Sequence, residues 1–357
     1  MNTRIVRVVS IEVVLVILLM LAPATGCTRE GIKKVPAEPE TVSITDSMGK
    51  LVQAPYKPKR VVSLYGPPTE VLCALGCEGN IVGVSNFCKF PPAVKDKPQV
   101  GTPDTPSVER IVELKPDIVM AFRGGYGADL KPDIESQIKQ TGIPVIVINC
   151  LEPSEIASDI QKIGKIFGKE DAAERYTSAI LRPLDIVQKR LKGIEESKKP
   201  RVYIAAAIVG DLVSFARGMD GDAIVEMAGG INLAADAATK MPRVSPEWLV
   251  KEQPDVLVKL CQGCDYDTPS PDGMKKVMET MSQSPGFNKL DAVKNGRVYA
   301  LSVDLLMSPR VYVEVAYLAK WFYPELFKDI DPENLHKEIM EGIYGVALKG
   351  TWAYPCP

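Results

Sequence analysis

Apolar residues come along this chain in short β-branched runs separated by stretches of helical spacing. Val61-Val62-Ser63-Leu64 reads as a strand, Thr69 to Leu75 as a helix and Ile81 to Ser85 as a second strand. Pro106 to Leu114 reads as a helix that leads through Pro116-Asp117 into a strand at Ile118 to Phe122. Asp133 to Gln140 is helical in pattern, ends at Thr141-Gly142 and feeds a strand at Val145 to Asn149. Strands alternating with helical patterns predict parallel βαβ units. Between residues 153 and 197 no strand-like run occurs. Ile156, Ile160, Ile163 and Phe167 recur at three and four, as on one helix face. A second helix runs from Asp171 toward Glu196, and Pro183 is expected to kink or interrupt it. The alternation then resumes with strands at Arg201 to Ile204, Asp255 to Leu260 and Arg297 to Leu301. Helices are expected at Asp222 to Ala228, Pro246 to Glu252, Tyr312 to Phe322 and Pro332 to Met340.

The two alternating regions echo each other. Glu109-Arg110-Ile111-Val112-Glu113-Leu114-Lys115-Pro116-Asp117-Ile118-Val119 and Glu247-Trp248-Leu249-Val250-Lys251-Glu252-Gln253-Pro254-Asp255-Val256-Leu257 keep register 138 residues apart. Each copy also follows a hydroxyl-proline pair, Thr105-Pro106 and Ser245-Pro246, read as an N-cap with proline at the first helical position. The fold class is therefore α/β: two related lobes with parallel-rich sheets, bridged by the helical block.

The first residues follow a different pattern. Arg4 and Arg7 precede an apolar run from Val13 to Ala22, and the small residues Ala24-Thr25-Gly26 precede Cys27. This is the order of an export signal with a small-residue cleavage site. At ~1.5 Å per residue the run spans ~15 Å, about half a bilayer core. Thr28 to Glu40, rich in charge and proline, reads as a tether. The expected organisation is a signal with its cysteine over 1–27, a tether over 28–40, an N-terminal lobe over 41–150, bridging helices over 151–198, a C-terminal lobe over 199–345 and a tail over 346–357.

Composition narrows the chemistry. The 43 basic and 45 acidic residues nearly cancel, with no basic stripe for nucleic acid. Histidine occurs once, at His336, read as a surface helix residue. Histidine zinc sites and Ser-His-Asp triads are thereby disfavoured. Of eight cysteines, Cys27 belongs to the leader, and seven cannot pair completely. Cys261-Gln262-Gly263-Cys264 follows a strand and could form a disulfide, stay as inert thiols, touch a ligand, bind metal or act in redox chemistry. Cys73 and Cys77 are read as packed or free.

Several motifs together resemble the periplasmic binding proteins that serve ferric siderophore, heme and cobalamin importers. They are Val42-x-Ile44-x-Asp46-x-x-Gly49, Pro58-x-Arg60-Val61-Val62-Ser63, Thr69-Glu70-x-Leu72-x-Ala74-Leu75-Gly76 with Ile81-Val82-Gly83-Val84-Ser85, Val225-Glu226-x-Ala228-Gly229-Gly230-x-Asn232, and Trp321-Phe322-Tyr323-Pro324-Glu325-Leu326-Phe327. Cys27 after small residues resembles a lipobox, although Ala24 stands where that motif usually has leucine.

The resemblance implies a non-enzymatic, monomeric binding protein on the outer face of the cytoplasmic membrane, lipid-anchored through Cys27. It implies two lobes joined by a long helix, with a ligand cleft between them. No intrinsic cofactor is expected; the ligand would be a ferric or cobalt chelate, delivered to an ABC permease dimer with its ATPase subunits. Glu70 and Glu226 match the motif positions that meet permease arginines, a pairing suited to bidentate geometry. Tyr65, Arg123, Tyr126, Arg243, Trp248 and Arg310 are the expected ligand contacts, since arginines and aromatic rings after strand ends suit an anionic or planar ligand. The alternative is a redox or metal-binding lipoprotein of the same fold using Cys261 and Cys264.

Overall fold

The computed structural model describes residues 40–125, 127–208, 212–284 and 286–355. The leader, Cys27, the tether up to residue 39, and Tyr126 lie outside the described residues.

A hairpin of β1 (Thr41–Thr45) and β2 (Leu51–Pro55) opens the described chain. The first lobe follows as β3 (Val61–Ser63), α1 (Gly66–Ala74), β4 (Ile81–Val84), α2 (Val108–Glu113), β5 (Ile118–Ala121), α3 (Pro132–Gln140) and β6 (Val145–Val147). Its sheet is parallel throughout, in the order β4-β3-β5-β6. Two helices, α4 (Ile156–Phe167) and α5 (Glu170–Leu191), then lead to the second lobe.

That lobe runs through β7 (Arg201–Ala205), α6 (Asp220–Met227), β8 (Ile231–Asn232), α7 (Pro246–Glu252), β9 (Val256–Cys261), α8 (Asp272–Ser282), α9 (Asp291–Lys294) and β10 (Val298–Ser302). It closes with α10 (Val303–Leu306), α11 (Val311–Phe322), α12 (Pro332–Gly342) and β11 (Ala353–Tyr354). Strand order in the second sheet is β11-β10-β9-β7-β8. Apart from β11 it is parallel and repeats the winding of the first sheet. The segment expected to be a tail is thus part of the sheet: β11 pairs antiparallel with β10 at Leu301 and Ala300.

The echo is structural down to its hydrogen bonds. The caps are Ser107, which accepts from Arg110 N at 3.3 Å, and Ser245, which accepts from Trp248 N at 3.2 Å. They keep the 138-residue spacing, whereas the expected cap at Thr105 does not form; Pro106 instead bridges Gly101. Lys115 and Gln253 both take positive φ, 45° and 47°, to end their helices. Asp117 and Asp255 then each clamp the start of the neighbouring strand, accepting from Arg60 N at 2.9 Å and Arg201 N at 2.7 Å.

Pro183 leaves α5 unbroken. Ala173, Tyr176, Ile180, Pro183 and Val187 form one buried stripe. Burying that stripe outweighs the ~3 kcal/mol that an internal proline costs. The Ala179 carbonyl that loses its helical donor belongs to a residue lining a surface groove beside α12, where water can replace the bond. Among the described residues no helix is long and apolar enough to cross a membrane.

Candidate functional site

In both lobes the chain leaves the carboxyl ends of parallel strands toward the same gap, the place where open α/β sheets gather ligands. Tyr65 follows β3, and Pro67 and Glu70 lie on α1 behind it. Phe87, Lys89 and Phe90 follow β4. From the second lobe, Gln262, Gly263, Asp265, Tyr266 and Asp267 follow β9, and Asp304, Met307 and Arg310 follow β10. These residues, with Trp352 ahead of β11, line a cavity of about 530 Å³, within the ~300–1,000 Å³ range of small-molecule sites.

Its walls are aromatic. Tyr65 stacks on Phe122 with ring centroids 3.9 Å apart. Phe90, from the first lobe, meets Tyr266 of the second at 5.5 Å and Tyr344 at 5.2 Å. Phe87 is half exposed at the mouth. Burial, then the Asp220 and Asp129 carboxylates, push the Tyr65 phenol up, so its hydroxyl stays a neutral donor.

Two ion pairs cross the gap. At the rim, Lys95 Nζ meets Asp267 Oδ2 at 2.6 Å. Deeper, Arg310 Nε donates to Glu70 Oε2 and its Nη2 to Glu70 Oε1, both at 3.1 Å. Both side chains are almost completely buried. Tyr344 donates to Glu70 Oε2 at 3.2 Å, and Arg310 Nη1 donates to His336 Nε2 at 3.0 Å. The guanidinium also lies 4.4 Å from the Phe90 ring centroid. Burial alone would lower the Arg310 pKa, but the Glu70 carboxylate and the neighbouring tyrosines more than offset it. Arg310 therefore stays charged.

With those pairs internally neutral, Asp265 and Asp304 face Lys89 as the remaining charges of the lining. Burial, reinforced by Asp265, raises the Asp304 pKa.

The expected site residues divide. Tyr65 and Arg310 line the cavity. Arg123 does not: Phe122 is buried against Tyr65, and Arg123 pairs with Glu135 beside a separate groove. Arg243 is exposed on a β-bridge with Val213, and Trp248 packs edge-on to Tyr203 in the second lobe's core, centroids 6.4 Å apart. Neither is part of the cavity lining, so the expected arginine-rich mouth is replaced by a more acidic one. Glu70 is only 5% exposed, committed to Arg310, and cannot present its carboxylate to a permease in this conformation. Glu226 is exposed on α6, with Arg217 at 3.3 Å. The two helices share the same C-terminal turn, bonded Cys77 N to Leu72 O and Gly230 N to Val225 O. In that frame Glu226 matches Cys73, not Glu70.

His336 is fully buried, not on the surface, because it supplies the acceptor that Arg310 Nη1 needs. Burial and then Arg310 hold its pKa well below the usual value, so it is neutral. Cys73, Cys77, Cys261 and Cys264 are free thiols. Among the described residues no group of three or more His, Cys, Asp or Glu side chains could hold a metal ion. Lining residues that the sequence reading does not single out include Lys89, Phe90, Asp265, Tyr266, Asp304 and Trp352. Asp265 and Tyr266 were within reach, since they follow a strand already expected to end at the cleft.

A profile described as periplasmic binding protein matches residues 61–305. An uncharacterised ABC transporter substrate-binding lipoprotein of Bacillus subtilis is 28% identical over 88% of this chain and 97% of its own length. A vitamin B12-binding protein of Vibrio cholerae is 23% identical over 72% of this chain and 86% of its own. Among solved structures, a TroA-like periplasmic binding protein, FepB from Veillonella parvula, superposes with a TM-score of 0.72 and 24% identity. That superposition covers 87% of this chain and 99% of the other.

Proposed function

We propose a ligand from a fixed premise: this chain belongs to the periplasmic binding protein family, a non-enzymatic class of solute-binding proteins of ABC transporters. It is a substrate-binding protein of such a transporter and not an enzyme. Within that role, our reading is that the cleft captures a corrinoid or a comparable neutral-to-cationic metal chelate.

The carrying observation is the cavity lining, aromatic on both sides with two carboxylates set against one lysine. Flat rings stack a macrocycle, and the Tyr65 hydroxyl with Asp265 and Asp304 can hydrogen-bond peripheral amides. A polyanionic ferric catecholate would meet like charge at the same carboxylates. The vitamin B12-binding relative supports the direction of this reading. Titration of the chain from residue 41 onward with cyanocobalamin, hemin and a ferric catecholate tests it. Cyanocobalamin should bind tightest, and saturable binding of the catecholate without cyanocobalamin binding would refute the assignment.

The permease and membrane contacts follow the same premise. Glu226 is proposed as the docking carboxylate of the second lobe and Cys27 as the lipid attachment site, the latter supported by the lipoprotein relative. Glu226→Ala should cut uptake of the bound chelate while leaving its affinity intact, and Cys27→Ala should abolish incorporation of labelled palmitate. Unchanged uptake or unchanged labelling would remove the respective role.

A further inference from the structure

The second lobe's side of the cavity hangs on a turn with a thiol at each end. Cys261 is the last residue of β9, and Cys264 follows Gln262 and Gly263. Both thiols are free, each is 4% exposed, and both sit in the same apolar cluster of the second lobe, where Cys261 Sγ donates to the Lys259 carbonyl at 3.8 Å. The residues between and just after them, Gln262, Gly263, Asp265, Tyr266 and Asp267, all line the cavity. Two of these also make inter-lobe contacts, Asp267 with Lys95 and Tyr266 with Phe90. Every other free cysteine among the described residues lies in the first lobe or the bridge behind it.

We infer that Cys261 and Cys264 form a reversible disulfide whose closure reshapes the 262–267 turn and so changes both the ligand wall and the hold between the lobes. Covalent closure fixes the two sulfurs at about 2.05 Å, and the backbone between them must follow. The turn has little slack to absorb this. Ser302 Oγ donates to the Cys264 carbonyl, and a side chain at Gly350 would collide with the Asp265 carbonyl, so the C-terminal segment lies directly against the turn. A shift at Cys264 therefore passes on to Asp265, Tyr266 and Asp267.

The chemistry is thiol–disulfide exchange with an external disulfide, a small molecule or a thiol-oxidase protein. The Cys264 sulfur, as thiolate, attacks one sulfur of that disulfide, forming a mixed disulfide and releasing one thiolate. Cys261 then loses its proton and displaces the second. Two protein thiols are oxidised, and one external disulfide is reduced to two thiols that carry the protons away. Cys264 suits the attacking role because the neighbouring Cys261 thiol lowers its pKa, while Cys261 is pushed up by Cys264 and then by burial. The apex glycine, Gly263, faces open space, which gives a reagent a path to the pair.

The effect on ligand rests on the cavity being the ligand site; the effect on the turn does not, and the test separates them. The full-length chain in detergent is equilibrated with mixtures of reduced and oxidised glutathione. Alkylation with mass spectrometry, hydrogen–deuterium exchange over residues 262–268 and cyanocobalamin affinity are then read at each mixture. The expected result is oxidation of this pair while Cys73, Cys77, Cys88 and Cys150 stay alkylatable. Altered exchange in the turn and a several-fold change in affinity should accompany it, all reversed by reductant. Cys261→Ser should accumulate a mixed disulfide with glutathione at Cys264, and the double Cys261→Ser, Cys264→Ser variant should lose all redox dependence. A pair that never oxidises, a disulfide that reductant cannot open, or identical exchange in both forms would overturn the switch. Cyanocobalamin that fails to bind either form, with exchange still redox-dependent, would instead count against the corrinoid reading alone.

Discussion

Replacing Arg310 by methionine should make stability strongly pH-dependent, and the buried pair with Glu70 sets the size of the effect. Methionine fills much of the volume and leaves the Glu70 carboxylate buried without its two guanidinium bonds, keeping only the Tyr344 hydroxyl at 3.2 Å. An uncompensated charge in such a place costs about 3–5 kcal/mol. Glu70 has a cheaper route, which is to bind a proton. From its ordinary value of 4.5, protonation at pH 7 costs about 3.4 kcal/mol, at about 1.4 kcal/mol per pH unit. That figure caps the electrostatic loss. In the variant the folded-state pKa of Glu70 lies far above its unfolded value, so the folded chain binds the extra proton and stability falls as pH rises from 4.5 toward the folded pKa.

The control is the double variant Arg310→Met with Glu70→Gln, which has the shape of the protonated carboxyl and no charge. Urea unfolding of both variants at pH 5, 6 and 7 is the assay. The single variant should trail the double by about 3 kcal/mol at pH 7 and by less than about 1 kcal/mol at pH 5. A gap that does not change with pH would show that Glu70 is not the buried, unpaired group in the single variant, and the inter-lobe pairing would be wrong.

Two further substitutions probe neighbouring groups. His336 is held neutral by burial, so the folded chain resists a proton that the unfolded chain accepts, and stability should fall as pH drops below the ordinary value of 6.5. His336→Gln keeps an acceptor for Arg310 and should remove about 2 kcal/mol of that loss by pH 5; identical acid unfolding of variant and parent would contradict it. Glu314 on α11 is fully buried with no partner on either carboxylate oxygen. Burial, then Asp220, raises its pKa well above 4.5, so it too costs stability as pH rises. Glu314→Met should stabilise the protein by up to about 3 kcal/mol at pH 7 and much less at pH 5; a destabilised variant would mean that the carboxylate has a role in the fold.

The fold was readable because the signals that fix it are local. Short β-branched runs and helical spacing mark the elements, and the Glu-to-Asp echo marks the duplication. Even the misplaced cap was close, since the sequence offered Thr105-Pro106 and Ser107 side by side and only the β-bridge from Gly101 to Pro106 decides between them. Pro183 departs from its expected effect for a related reason: proline's local cost is visible in sequence, and the stripe of tertiary contacts that outweighs it is not.

The site resisted reading for the opposite reason. Its central contact joins residues 240 positions apart in the chain, and nothing near Glu70 distinguishes a surface carboxylate from a buried one. The same gap explains His336. Once Arg310 is placed inside, the histidine follows, because a buried guanidinium needs acceptors for each donor and Glu70 supplies two of them. Its neutral ring supplies a third. The charge of the cleft then changes sign relative to the expectation. A count of nearby arginines suggested an anion site, but Arg123 pairs with Glu135 outside the cavity and Arg310 is neutralised within it. What the ligand meets is set by which charges remain after the protein has paired its own, and here those are Asp265, Asp304 and Lys89.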